Sequence, residues 1–176
     1  LVRLMLKEDL DGKEILDIGT GSGCIAISLA KNLPNSKVAA LDFSSDALEV
    51  ARENAELNNV SIEFINADIF EYQSNKKYDI IVSNPPYVLE SEKSLMKKNV
   101  LDFEPHKALF VNDNEPFEYL EFIIGFSEKA DADYIFFEIN SGRLVSHEEY
   151  FDKFNFDYSF FDYYTEKKRF CRLVKS

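Results

Sequence analysis

The sequence predicts an α/β fold: a doubly wound, mostly parallel seven-stranded sheet with helices on both faces and an antiparallel C-terminal hairpin. Three observations carry this. Short apolar runs alternate with helical patterns through the first five strands, the signature of parallel strands joined by crossover helices. The first run ends in a cluster of glycines that opens a helix. The last two strands are only a few residues apart, too close for a crossover helix, so they pair antiparallel.

Along the chain, LVRLML (1–6) reads as helix, and KEILDIG (13–19) as a buried strand ending in glycine. Apolar positions from Cys24 to Leu33 fit a helix, ended by Pro34 and Asn35. KVAALD (37–42) is a second strand, and Ser44 or Ser45 can cap a helix with Ala47, Leu48, Ala51 and Ala55 on one face. SIEFIN (61–66) and YDIIVS (78–83) are strands three and four. A helix over Phe117–Lys129 precedes strand five, DYIFFEI (133–139), and Ser141–Phe154 is a weaker helix. FDYSFFDYY (156–164) and RFCRLV (169–174) close the sheet. The stretch from Asn84 to about Glu115 has no strong periodicity, and a connection of that length in a compact domain is functional or disordered.

The chain has 176 residues, 45% hydrophobic and 30% charged, which suits one globular domain with a sizeable core. No apolar run approaches the length that spans a bilayer, so no membrane partner is expected. The first residue is Leu1, already inside a helical pattern, so we expect the natural start to lie upstream. Cys24 and Cys171 are far apart in apolar settings, which suggests neither a disulfide framework nor a zinc site, and no metal is expected. A cytoplasmic setting follows. The formal net charge of −12 would repel a phosphate backbone and argues against direct nucleic-acid binding. The short basic groups Lys93, Lys97, Lys98 and Lys167, Lys168, Arg169 are interrupted or flanked by carboxylates and read as solvated surface charge.

Asp17-Ile-Gly19-Thr20-Gly21-Ser22-Gly23 joins the first strand to the first helix after it. Glycines there permit a tight turn and a close approach of backbone to ligand, beyond the C-terminal ends of the strands. A nicotinamide fingerprint needs a third glycine at position 24, where Cys24 stands, and no phosphate-loop lysine is present. The G-x-G-x-G spacing after an acidic residue resembles motif I of class I S-adenosylmethionine methyltransferases. That likeness implies that Asp17 and the Gly19–Gly23 backbone hold the methionine part of the cofactor. Asp42 ends the second strand, where a carboxylate can accept from both ribose hydroxyls, and Phe43 could flank the adenine. Asp68 and Ile69 follow the third strand, where the same pattern places an acid near the adenine amino group and an apolar side chain against the ring. Asp42 as a turn carboxylate and Asp68 as an N-cap are the plain alternatives.

Asn84-Pro85-Pro86-Tyr87 directly follows the fourth strand. Two prolines fix φ and push Asn84 out of the helical region, giving a stiff extended turn. An amide or aromatic amine nitrogen is a poor nucleophile because its lone pair is delocalised. If the Asn84 side-chain oxygen and the Pro85 carbonyl each accept one N–H, they hold that nitrogen and push density toward it as positive charge develops. Tyr87 can stack on the planar group. This four-residue segment is shared by amino methyltransferases of nucleic acids and by glutamine-amide enzymes acting on protein.

The flanking residues decide between these. DIGTGSGCIAISLAK, SSDALEVARENAELN, YDIIVSNPPYV, ESEKSLMKKNVLDFEPHKALFV and FFEIN closely resemble the catalytic domain of the HemK family, the peptide chain release factor N5-glutamine methyltransferases. The resemblance covers nearly the whole chain, with Asn84 through Val111 its family-specific part. It implies a Rossmann-like domain over residues 1–176, S-adenosylmethionine as methyl donor with S-adenosylhomocysteine as product, and a class 1 peptide chain release factor as partner, methylated on the glutamine of its Gly-Gly-Gln loop. It also implies an N-terminal helical domain that this chain does not contain. Asn84, Pro85 and Tyr87 would carry catalysis, with Pro86 beside them in substrate binding. Ile69 stands where some members carry a large aromatic, and EINSGR (138–143) replaces a more glycine-rich stretch. Glu104-Pro105-His106 matches the family's Glu-Pro pair, with Glu104 a lid anchor. His106 and His147 read as surface residues.

Overall fold

The computed structural model describes residues 1–95, 109–162 and 167–176. A short helix α1 (Val2–Met5) is followed by β1 (Glu14–Ile18), α2 (Cys24–Asn32), β2 (Lys37–Asp42), α3 (Ser45–Leu57), β3 (Glu63–Asn66) and β4 (Ile80–Ser83). Then come β5 (Val88–Leu89), a 3-10 helix (Glu90–Leu95), β6 (Phe110–Val111), α4 (Glu118–Ala130) and β7 (Tyr134–Glu138). A 3-10 turn (Ser141–Arg143), α5 (Leu144–Phe151), β8 (Phe156–Asp162) and β9 (Lys168–Lys175) complete it.

The main sheet has seven strands in the order β3-β2-β1-β4-β7-β9-β8. Pairings among β3, β2, β1, β4 and β7 are parallel, and β9 pairs antiparallel with both β7 and β8. This is the architecture the sequence predicts, hairpin included. Successive side chains of a strand point to opposite faces, and both faces here are covered, so the central strands read as unbroken apolar runs. Leu16, Ile81, Ile135 and Phe137 face α4 and α5, while Ile15, Ile80, Val82 and Phe136 face α1 and α2. All eight are fully buried, and each contributes roughly 1.5–3 kcal/mol by leaving water.

Helix boundaries follow local chemistry. Ser44 caps α3 by accepting the Ala47 N–H at 3.2 Å, which settles the choice between Ser44 and Ser45. Gly23 begins α2 at φ 84°, and a Cβ there would sit 3.0 Å from Ile27 Cδ1 and 3.1 Å from Ala51 Cβ. Its missing side chain is what lets α3 pack on the start of α2. The aperiodic stretch after Asn84 contains a two-residue parallel pair, β5 with β6, too short to give a sequence pattern. Its family-like residues Glu104, Pro105 and His106, and Lys97 and Lys98, lie outside the described residues. No helix among the described residues is long and apolar enough to cross a membrane.

Candidate functional site

The strand order reverses between β1 and β4, and in open α/β sheets ligands bind beyond the strand ends at such a point. Ile18 and Ser83 are register partners there, and the buried Ser83 hydroxyl donates to the Ile18 carbonyl at 2.7 Å. The glycine turn leaving β1 and the Asn-Pro-Pro turn leaving β4 are thereby set side by side. Between them opens a cleft of about 940 Å³.

On one bank, Gly19, Gly21 and Gly23 all have positive φ, of 70°, 55° and 84°. Above Gly19 and Gly21 a Cβ would meet nothing within 4 Å, so the turn presents bare backbone to open space. The turn is pinned from behind. Asp17 is fully buried, and its Oδ2 accepts from the Thr20 hydroxyl at 2.7 Å and from the Ala26 N–H at 3.1 Å. Its Oδ1 is buried with no partner among the described residues. Burial pushes the Asp17 carboxyl up to about 7, partly offset by those two hydrogen bonds.

Asp42 joins the turn to the end of β2. Its Oδ2 accepts from Gly21 N–H at 2.8 Å and its Oδ1 from Ser44 N–H at 2.9 Å. A carboxylate has about four acceptor sites, so Asp42, which borders the cleft, keeps capacity for ligand hydroxyls. Asn66 donates to both the Asp42 and Phe43 carbonyls at 3.0 Å and fixes the backbone from which Phe43 projects. Asp68 accepts from Phe70 N–H at 3.1 Å, the turn-capping alternative, and also borders the cleft. Ile69, buried, and the exposed Phe43 and Val50 supply apolar walls.

On the other bank, Asn84 is exposed, and its side chain makes no hydrogen bond among the described residues. Pro85 is buried and Pro86 half-buried, so the carboxamide is held by its backbone alone.

The structure thus brings Gly19, Gly21, Ser22, Asp42 and Phe43 into one cleft with Asp68, Ile69, Asn84, Pro85 and Pro86. It does not bring Asp17, Thr20, Gly23 or Tyr87 to that surface. The first three support the turn from inside. The Tyr87 hydroxyl instead lies 3.4 Å from both Glu138 Oε1 and Arg169 Nη2. Arg169 is therefore paired, with Glu138 at 2.6 Å, rather than free surface charge. His147 is a second correction: it is 3% exposed, not solvated. Its Nδ1 lies 2.7 Å from the Arg143 carbonyl, its ring packs edge-on to Phe117, and burial lowers its pKa. Helical periodicity on α5, with Tyr150 and Phe151 on the same side, was the signal that could have found it. Sequence reasoning also missed Ser83 and Asn66, whose roles are contacts across 65 and 24 residues.

Comparison with known proteins adds to this geometry. The family described as "Methyltransferase small domain" matches residues 1–104. A release factor glutamine methyltransferase of Flavobacterium psychrophilum is 47% identical over 164 residues, covering 89% of this chain and 58% of that protein. One of Bacteroides thetaiotaomicron is 46% identical over 162 residues, covering 86% of this chain and 58% of its own length. The chain thus spans little more than half of these relatives. Among solved structures, the hMettl16 catalytic domain in complex with the MAT2A 3'UTR hairpin 1 superposes with a TM-score of 0.72 at 20% identity, over 98% of this chain and 68% of that one. The ribosomal protein L11 methylase of Lactobacillus delbrueckii subsp. bulgaricus does so with a TM-score of 0.65 at 21% identity, over 99% and 77%. At such identities these two speak for the fold alone.

Proposed function

The chain belongs to the methyltransferase small domain family, and from that premise we propose that it moves a methyl group from S-adenosylmethionine to the side-chain amide nitrogen of a glutamine. The glutamine is the one in the Gly-Gly-Gln loop of a class 1 peptide chain release factor, and the reaction takes place in the cytoplasm. The observation that carries the proposal is the Asn84 carboxamide, exposed, with no hydrogen-bond partner among the described residues, and held by a diproline turn opposite the glycine cradle. The relatives named for this activity share 46–47% of matched residues.

The cleft fits the donor. Its open glycine backbone suits close approach of a small polar tail, and the unpaired buried Oδ1 of Asp17 behind the turn favours a nearby cation. Asp42 would take the ribose hydroxyls, and Phe43 and Ile69 the faces of the adenine, with Asp68 at its amino edge. When bound, S-adenosylmethionine supplies an electrophilic methyl on a sulfonium, so no strong base is required of the protein.

The chain's own residues then act on the acceptor. Asn84 Oδ1 and the Pro85 carbonyl accept the two amide N–H groups and orient the nitrogen lone pair toward the methyl. The donor would supply its methyl and keep the S–C electron pair as a neutral thioether, while Asn84 and Pro85 hold the attacking nitrogen and its surplus N–H proton is left open to water. The Asn84 and Pro85 oxygens stabilise the positive charge that builds on nitrogen before that proton departs.

Incubation with labelled donor and purified release factors, followed by mapping of the methylated residue, tests the reading. Label on the Gly-Gly-Gln glutamine supports it, and label only in nucleic acid would replace it with the amino methyltransferase reading. A net charge of −12 stands against it.

A further inference from the structure

Glu138 ends β7 and Arg169 stands in β9, and the strands meet in a way that puts the two side by side. Glu138 is the register partner of Phe170, and the Ile139 N–H donates to the Arg169 carbonyl at 2.8 Å. The resulting ion pair is 2.6 Å long, with side chains 19% and 46% exposed. An ion pair so exposed adds little to stability. Yet it does not sit on open surface. It closes on the hydroxyl of Tyr87, three residues after Asn84.

We propose that Glu138 and Arg169 are positioning residues: their ion pair holds the Tyr87 hydroxyl, and through Pro86 and Pro85 it fixes the turn that presents Asn84. The proposal rests on the functional reading above for its kinetic arm only. Burial, and then the Glu138 charge, keep the Tyr87 phenol above its ordinary pKa. The hydroxyl is therefore protonated at neutral pH, donating to Glu138 and accepting from Arg169. Both 3.4 Å contacts are at the long end for hydrogen bonds, as catalytic contacts often are before substrate closes a site. The diproline stiffens the turn between its own residues, but it does not fix the angle at which the turn leaves the sheet. A second anchor beyond the prolines does. This gives the antiparallel strand β9 a task at the site as well as in the sheet.

Three variants test it: Tyr87→Phe, which keeps the ring and loses only the hydroxyl, Arg169→Met, and the double variant. In the free chain, amide hydrogen exchange at Tyr87–Leu89 should quicken about tenfold in each single variant, with strand β1 unchanged. With a Gly-Gly-Gln peptide, each single change should lower kcat/KM about tenfold, and the double variant no more than Tyr87→Phe alone, because loss of the hydroxyl already severs both of its contacts. Affinity for S-adenosylhomocysteine should stay within about twofold, since neither residue touches the donor bank. Losses that multiply in the double variant, or exchange at Tyr87–Leu89 that does not change, overturn the proposal. Tyr87→Phe is near-isosteric, so it decides the exchange arm even if Arg169→Met folds poorly. A wild-type chain that leaves the peptide unmethylated would sink the functional reading, while the exchange result still judges the brace.

Discussion

On the glycine bank of the cleft, nearly every position is tied down by a side chain reaching for backbone. Asp17 holds Ala26, Asp42 holds Gly21 and Ser44, Asn66 holds two carbonyls, and Ser83 joins β4 to β1. On the opposite bank the Asn84 side chain has no such tie among the described residues, and its nearest restraint is covalent, in two proline rings, with the Tyr87 contacts lying beyond them. The difference follows from what each bank must leave free. A glycine backbone that cradles a ligand can be braced from behind without blocking its face. A carboxamide that must receive a substrate's N–H groups cannot be braced by hydrogen bonds at all, because any partner would compete with the substrate. Proline stiffens the turn and consumes no acceptor.

If that contrast is right, the two banks fail differently. Asn84→Ala should lower methyl transfer by about a hundredfold or more while leaving S-adenosylhomocysteine affinity within about twofold. Single-turnover rates and calorimetric titration read the two quantities separately. An equal loss in both would mean that Asn84 serves the donor.

Gly23→Ala strikes the other bank through packing. The new Cβ would press on Ile27 and on Ala51 at 3.0 and 3.1 Å, and the φ of 84° is unfavourable for alanine. Together these should cost roughly 2–4 kcal/mol of stability, seen as a lower urea midpoint. Adding Ala51→Gly relieves only the Ala51 contact and leaves the Ile27 contact and the unfavourable φ, so it should recover a small part of the loss at most.

A smaller effect is expected at Asp42. Asp42→Ala frees the Gly21 N–H and removes an acceptor from the cleft, and S-adenosylhomocysteine should bind about tenfold more weakly. Asp42→Asn retains one acceptor oxygen and should fall between. Unchanged affinity in both would confine Asp42 to the turn.

How much of this was readable in advance divides along the same line as the banks. The strands, helices and hairpin are written in apolar runs and their spacing, so β1 through β4 and the closing pair were foreseen within a residue or two at most ends. Asn84 and the glycines announce themselves because few backbones need those residue types in that order. What the chain did not disclose is which residues act at a distance. Ser83 reads as an ordinary strand residue until Ile18 lies beside it, and Arg169 as surface charge until β9 pairs with β7. Nor does the chain disclose that Asp17 is buried behind the turn, where its Oδ2 accepts from Thr20 and Ala26.

That burial has a consequence for pH. Asp17 sits at about 7 in the folded chain because burial disfavours its charge, against about 3.9 when unfolded. Between those values the unfolded chain has released the proton and the folded chain has kept it, so the folded state binds more protons. Stability from this residue therefore falls as pH rises from about 4 to about 7, and is level above that. Asp17→Asn is neutral throughout, and its carboxamide oxygen can still accept from Thr20 and Ala26. Urea unfolding at pH 5 and at pH 8 should show the wild type losing more stability across that interval than the variant, other groups cancelling in the difference. Equal slopes would mean that Asp17 is already ionised in the folded chain. Saturating S-adenosylhomocysteine sharpens the test, because a ligand ammonium close behind the glycine turn would pull the Asp17 pKa down and shrink the wild-type slope toward the variant's. A slope indifferent to ligand would place that ammonium away from Asp17, and leave the carboxylate a purely internal support of the glycine bank.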